Sequence, residues 1–585
     1  MGNLRSRRVA GSGVSHPLDA APVGAVEQDL PLQVTVVLRP RGQRAHAAGP
    51  AMHPAERPTL SADDLAQWYD PGDDRVLLVR KFADAHGLSV TEVSRARHDV
   101  VLDATAGQFS RAFGVTLQYF ETAGARYYAH DERARLPREL RAATENVLGL
   151  ETIPVHRTHA VAARRGAHVD IPALERQYGF PAVDARGRRI ALLEFGGGFS
   201  SDDIAAYASR LAIAEPRLTP VSVAGATGQH GSNAPLDRAV AASIARDWKA
   251  SVPFATLMKK HGSDMSAFIA SMEVTMDIEL ALALGGGAAV DVYFAPSGVD
   301  GWRRALYAAI GLPIGGAGGA HPPVPTVMSI SWGESEAVFG SEQLQMIERT
   351  LIAVRRAGVA VCCSSGDWGS VNASPKPGVP AIPNVNFPAS SPSVLACGGT
   401  RLLPSGSSDD VRSEVAWDER TFGVSMATGG GVSGFFKRPK AQADVKLRPA
   451  ARTWRAPGNG NGAKRAIPDV AANAALSSGP AITFAGEELV GFGTSAAAPI
   501  CASLLARVSA SVGHGVAGME AWLYTGDAKS CCRPVTKGDN DVTNGKVAFY
   551  RAGKGWNACT GLGTLDGEKI VATLVRTRRA EQKPK

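Results

Sequence analysis

Gly493-Thr494-Ser495-Ala496-Ala497-Ala498-Pro499 follows two short strands read over Ile482 to Val490 and opens an Ala- and Leu-rich helical run, Ala496 to Val512. Ser495 therefore stands at a strand-to-helix junction, with its hydroxyl at the positive end of a helix. Unpaired backbone N–H groups there favour an oxyanion formed beside the serine. Pro499 suits a first helical turn, which has no N–H partners to lose. A Gly-Thr-Ser turn is also ordinary helix capping, so a catalytic reading needs a base from elsewhere in the chain.

Working outward, apolar runs recur at Ile190 to Phe195, Val290 to Ala295, Thr326 to Ser331 and Val359 to Cys363, separated by helical segments such as Glu273 to Leu284 and Glu342 to Ala357. Near-continuous apolar strands between helices predict an α/β unit with a mostly parallel sheet covered on both faces. Sites in such sheets gather beyond the carboxyl ends of the strands, the position of Ser331-Trp332-Gly333 and Ser364-Ser365-Gly366-Asp367. Before this unit, a strand at Val34 to Leu38, helices at Ser61 to Tyr69 and Asp74 to His86, and further short elements to Tyr119 predict a separate α+β unit.

With 585 residues the chain is too long for one small core. A composition 44% hydrophobic and 20% charged places it among soluble globular proteins. The net charge of +8 is modest, and no basic and aromatic interleaving marks a nucleic-acid surface. No apolar run reaches the ~20 residues of a membrane span. The N-terminus, MGNLRSRRVAGSG, lacks the apolar h-region of a signal peptide, and Met1-Gly2 with Ser6 formally matches a myristoylation pattern. The seven cysteines form neither a metal pattern nor a clear disulfide framework.

Glu273 and Asp277, four apart, project from one face of a helix. Like charges at that spacing cost ~0.2–0.5 kcal/mol on a solvated face, but apart from Glu279 this helix is mostly apolar. Two carboxyls in a largely buried site share a proton, one pKa rising and the other falling. Asp367 follows the Val359 to Cys363 strand in a turn of small residues, where a plain turn aspartate is the ordinary reading.

Taken together, Glu273-x-x-x-Asp277, Ser365-Gly366-Asp367 and Gly493-Thr494-Ser495-x-x-x-Pro499 resemble the sedolisins, serine-carboxyl peptidases of subtilisin-like fold, with the kumamolisin branch the nearest. Asn386 to Pro392, Cys397 to Thr400, Gly429-Gly430-Gly431 and Ile467 to Ala471 extend the likeness. The stretch before residue 165, ending in Val147-Leu148-Gly149-Leu150, is similar to the family's activation propeptide. Composition predicts a disordered segment 1–30, an exposed linker with the processing site 161–175 and a basic tail 576–585, and the resemblance implies a propeptide 31–160 and a peptidase domain 176–575.

It also implies Ser495 as nucleophile, Glu273 as general base, Asp277 as the group that orients it, and Asp367 as side-chain donor to the oxyanion. Ser331-Trp332-Gly333 would pair with the substrate backbone. One structural calcium would be held by Asp541, Asn557 and the carbonyls of Val542, Gly553 and Gly555, with Asn557 standing where the family usually has Asp. A serine needs a base, and the base a third group to hold it. Carboxyls near pKa 4 suit acid, and an ordinary Asp367 would be protonated in roughly one molecule in a thousand at pH 7.

The expected product is an acid-active endopeptidase made as a zymogen, a monomer, with protein or peptide substrates and its own propeptide as inhibitor. An extracellular or other acidic compartment is expected from the family. A Ser-His-Asp reading would need a histidine in a His-Gly-Thr-His setting, which His230-Gly231 and His261-Gly262 lack. A catalytically silent binding protein is the remaining alternative.

Overall fold

The computed structural model describes residues 20–41, 53–56, 59–122, 125–153, 168–224, 236–250, 254–312, 322–371, 382–403, 412–420, 425–447, 450, 464–547 and 549–581. The first seven residues of the predicted processing linker, 161–167, lie outside these residues, as do His230 and most of the segment 311–325.

A ten-stranded sheet forms the centre of the larger unit. Its nine-strand path runs Cys532–Arg533, Thr564–Leu565, Val470–Asn473, Leu395–Leu402, Ala360–Ser364, Val327–Ile330, Arg189–Glu194, Ala289–Phe294 and Leu218–Ser222, with Glu414–Ala416 paired off Leu395–Leu402. The seven pairings from Thr564–Leu565 to Leu218–Ser222 are parallel; the two involving Cys532–Arg533 and Glu414–Ala416 are antiparallel. Parallel strands need helical crossovers, and the apolar runs read from the sequence are fully buried in three of them, Ala289–Phe294, Val327–Ile330 and Ala360–Ser364, as is the strand Val470–Asn473.

The Ser263–Leu284 and Thr494–Val512 helices pack against each other and across this sheet. The Thr494–Val512 helix is long and apolar enough to cross a membrane by composition alone, and 83% of that window is buried inside the protein, as a core helix should be. It begins at Thr494, so Pro499 lies beyond its first turn. Proline has no N–H to give to the Ser495 carbonyl four residues back; that carbonyl instead faces the Ser331 hydroxyl at 3.2 Å.

The N-terminal unit contains an antiparallel sheet ordered Ser89–Ser94, Asp99–Thr105, Pro31–Leu38, Thr144–Leu148. Ser61 and Thr105 close capping boxes on the helices Ala62–Tyr69 and Ala106–Phe113. Two boundaries differ from the sequence reading. Ala21–Ala25 is a strand paired with Gln118–Thr122, so order begins before residue 30. The helix Gly567–Glu581 carries six residues of the supposed basic tail, because Ile570 and Leu574 bury an apolar stripe.

The two units meet through buried charge. Arg303, wholly buried, donates to Asp99 Oδ2 at 2.5 Å and to the Arg97 carbonyl, and Arg304 donates to Thr35 Oγ1 at 2.9 Å. Arg349 pairs with Glu145 across the same junction. Burial and the Arg303 charge push His98 down to about 3, while Arg303 and Arg97 overcome burial and hold Asp99 down to about 2.

Candidate active site

Ser495 occupies the second position of its helix and is 1% exposed. Gly493 ahead of it has φ +84°, and a Cβ there would lie 2.5 Å from Asp367 Oδ2. Only glycine meets both demands.

Asp367 follows the Ala360–Ser364 strand and is wholly buried. Its Oδ1 accepts from the Thr494 N–H at 2.8 Å and the Thr494 hydroxyl at 2.5 Å, and that hydroxyl in turn accepts from the Gly366 N–H at 3.0 Å. Oδ2 carries no such bond and sits beside Gly493, at the entrance to the helix. Burial pushes the Asp367 carboxyl up to about 7, against the lowering effect of its two Thr494 bonds. The ordinary value assumed from sequence is therefore replaced: the protonated donor persists to near neutrality.

Glu273 and Asp277 share one face of the Ser263–Leu284 helix, as predicted, and both are buried. Ser331 Oγ lies 2.6 Å from Asp277 Oδ2. Ser495 Oγ is 3.2 Å from the Ser331 carbonyl oxygen and lies near the Glu273 carboxyl, whose pKa its hydroxyl works to lower. Burial first, then the Asp277 charge, raises Glu273; burial first, then the Glu194 charge, raises Asp277, with the Ser331 bond opposing it. Ser331 Oγ thus donates toward the Asp277 carboxyl, and Ser495 Oγ toward the Ser331 carbonyl oxygen.

A third carboxyl joins them. Glu194 ends the Arg189–Glu194 strand, is wholly buried, and accepts from Trp332 Nε1 at 2.6 Å. Burial raises its pKa and the Glu273 charge adds to this, against the Trp332 bond. Sequence reasoning did not single it out; the available signal was a carboxylate closing an otherwise apolar strand.

Ser331 and Trp332 thus turn their side chains inward onto the carboxyls, leaving only their backbone for any substrate. Gly333 lies against Asn386, whose Oδ1 would be 2.6 Å from a Cβ at that position. Gly429 packs under the Ser365–Gly366 backbone, donating to the Gly366 carbonyl at 2.6 Å. All seven cysteines are buried thiols.

The residues expected to hold calcium do not fit it. Asp541 Oδ1 accepts from the Thr543 N–H at 2.8 Å and hydroxyl at 2.9 Å, and Oδ2 from the Gly545 N–H at 2.6 Å, with Arg420 Nη1 at 3.2 Å. Asn557 Oδ1 accepts from Cys559 N–H, Thr560 N–H and Thr560 hydroxyl at 3.1, 3.0 and 3.1 Å. These donors fix the amide, so its NH2, rather than its oxygen, faces the Gly553 carbonyl at 3.3 Å. A hard cation needs oxygens free to face it. The expectation that Asn557 supplies one is corrected by its own hydrogen bonds.

Known proteins resemble this chain over nearly its whole length. Residues 19–153 match the family model described as Pro-kumamolisin, activation domain, and residues 204–521 match the subtilase family. Kumamolisin from Bacillus sp. (strain MN-32) is 32% identical over 588 residues, covering 97% of this chain and 96% of the relative. Tripeptidyl-peptidase sed5 from Aspergillus fumigatus is 24% identical, covering 97% of each chain. A solved Pseudomonas sedolisin, a serine-carboxyl proteinase complexed with pseudo-iodotyrostatin, aligns with a TM-score of 0.53 at 23% identity, covering 70% of this chain and 99% of its own, which speaks for the subtilisin-like fold. With a relative above 30% identity along nearly its whole length and an activation domain ahead of a subtilase domain, the chain belongs to the sedolisin family of serine-carboxyl peptidases, as a kumamolisin-like zymogen.

Proposed function

We propose that the chain is an acid-active endopeptidase whose nucleophile is Ser495, whose general base is Glu273 and whose Asp277 orients that base, with Asp367 as side-chain donor to the oxyanion. The observation that carries this reading is the Ser495 hydroxyl placed near Glu273 in the same buried cluster as Asp277 and its partner Ser331.

The cycle starts when Glu273 is ionised and takes the Ser495 proton as Oγ attacks the scissile carbonyl carbon. The oxyanion so formed is met by the Ser495 N–H and by a proton on Asp367 Oδ2, the oxygen left without a partner. Protonated Glu273 then passes its proton to the leaving amine, and the acyl-enzyme is hydrolysed by a water that Glu273 deprotonates in turn. Ser331 holds Asp277, and the Trp332 indole holds Glu194, so the two carboxyls neighbouring the base are themselves positioned.

Asp367 needs its proton, so activity falls as pH rises through the Asp367 pKa, about 7 in this buried setting. Glu273 needs to lose its proton, so activity also falls once acid neutralises the carboxyl cluster. The backbone of Ser331-Trp332-Gly333 is proposed to pair with an extended substrate. Residues 31–160 act as intramolecular inhibitor, 161–175 as processing linker and 176–575 as peptidase, in a monomer that works in an acidic or extracellular setting. Calcium at Asp541 and Asn557 forms no part of this reading, since the oxygens of both side chains already accept hydrogen bonds.

Incubating full-length protein and a Ser495→Ala control at pH ~4 and pH 7 tests the proposal. The expected result is loss of about 170 residues and gain of peptidase activity by the wild type alone, and more in acid than at pH 7. Equal processing of the Ser495→Ala protein, or an optimum above pH 7, overturns it.

A further inference from the structure

The donor set that disagrees with calcium has its own positive charge. Arg420, in the loop after the Glu414–Ala416 strand, meets three carboxylates at once. Its Nε lies 3.0 Å from both Asp418 oxygens, Nη2 is 2.5 Å from Asp418 Oδ2 and 2.7 Å from Asp539 Oδ1, and Nη1 is 3.2 Å from Asp541 Oδ2. Two of these acids, Asp539 and Asp541, belong to the C-terminal loop, where Asn557 also ties segments together. That amide donates to the Gly553 and Val535 carbonyls, each at 3.3 Å, while its oxygen collects the three donors of Cys559 and Thr560.

We propose that the Arg420 guanidinium and the Asn557 amide together replace a metal ion, so that the loops 539–557 are cross-linked without calcium. Arg420 supplies the charge that Asp541 would otherwise direct at a cation. The Asn557 N–H groups satisfy the Gly553 carbonyl that would otherwise ligate one. An aspartate at 557 would keep the three donors on one oxygen and turn the other, a free anionic oxygen, toward Gly553. Asparagine puts a donor there instead, which repels a cation and attracts a carbonyl.

The consequence matters for a protein read as working in acid. Carboxylate-bound calcium competes with protons, whereas a guanidinium keeps its charge at every working pH. Loops clasped in this way neither lose a metal to acid nor to a chelator.

The test uses the full chain carrying Ser495→Ala, so that processing does not interfere. Thermal unfolding is recorded in EGTA and in 10 mM CaCl2, and metal content is measured after dialysis. The expected result is no stoichiometric calcium and a Tm that differs by less than about 1 °C between the two buffers. Arg420→Gln lowers the Tm equally in both. Arg420→Gln combined with Asn557→Asp, which empties the guanidinium's place and restores an anionic oxygen, gains a calcium-dependent rise of about 3 °C or more. One calcium retained per Ser495→Ala chain, or a rise of that size in the protein with Arg420 and Asn557 intact, overturns the proposal. An Arg420→Gln protein with unchanged Tm also overturns it, since the guanidinium then clasps nothing.

Discussion

Asp367→Asn isolates the one group whose protonation the proposed mechanism demands. Asn copies the shape of the protonated acid. Oδ1 accepts two hydrogen bonds from Thr494, so the amide NH2 must take the place of Oδ2, beside Gly493. What changes is titration. The native protein holds Asp367 at about 7 instead of 3.8, because the site is dry. A carboxyl raised in this way favours the folded state when protonated. Its contribution is full below pH 4 and is lost as pH climbs through about 7, where the unfolded chain ionises freely and the folded chain cannot. At ~1.36 kcal/mol per tenfold, the raised value amounts to about 4 kcal/mol between pH 4 and pH 8.

Asn at this position does not titrate, so it escapes that loss. Urea unfolding of Ser495→Ala and of Ser495→Ala/Asp367→Asn at pH 4, 6 and 8 is the assay, the common background removing autolysis. Relative to its parent, the Asn variant is expected to gain stability with pH, by about 4 kcal/mol over the full span. A difference that stays constant across pH would refute the reasoning, because it would mean that Asp367 titrates alike in the folded and unfolded chains.

Three further changes probe the site and its inhibitor. Ser331→Ala removes the hydroxyl 2.6 Å from Asp277; kcat of the processed enzyme is expected to drop about 10–100-fold with KM little altered, as for a positioning residue. Glu194→Gln removes the charge that raises Asp277 and leaves Trp332 an acceptor; Asp277 then ionises more readily, its charge raises Glu273, and the acid limb of the kcat/KM profile moves to higher pH, whereas an unmoved limb means that Glu194 does not act on the cluster. Arg303→Met takes the buried cation away from Asp99 and the Arg97 carbonyl, loosening the propeptide by about 3 kcal/mol, and limited proteolysis should show release at a higher pH than in the wild type.

Much of this protein was legible without coordinates. Alternating apolar runs and helical spacing identified the parallel sheet, because hydrophobic periodicity is a local property of the chain. The Ser495 junction, the Glu273–Asp277 face and the Asp367 turn were readable for the same reason: each depends on residues within one turn or one loop. The ends were read too loosely, since the strand at Ala21–Ala25 exists only through its pairing with Gln118–Thr122.

Only the tertiary structure decided how the functional atoms behave. The Pro499 gap in the helix became a seat for Ser331 because a strand from 164 residues away delivers that hydroxyl. Glu194 entered the site because its strand ends beside Trp332 and the Glu273 helix. The Asp367 carboxyl rose to about 7 through loss of water, which depends on everything packed around it and on nothing in Ser365-Gly366-Asp367 alone. Asn557, read from sequence as an oxygen donor, presents its NH2 to Gly553 because Cys559 and Thr560 claim the oxygen. Residue type is written in the chain, but solvation and the direction of a hydrogen bond are set by partners that only the fold brings together.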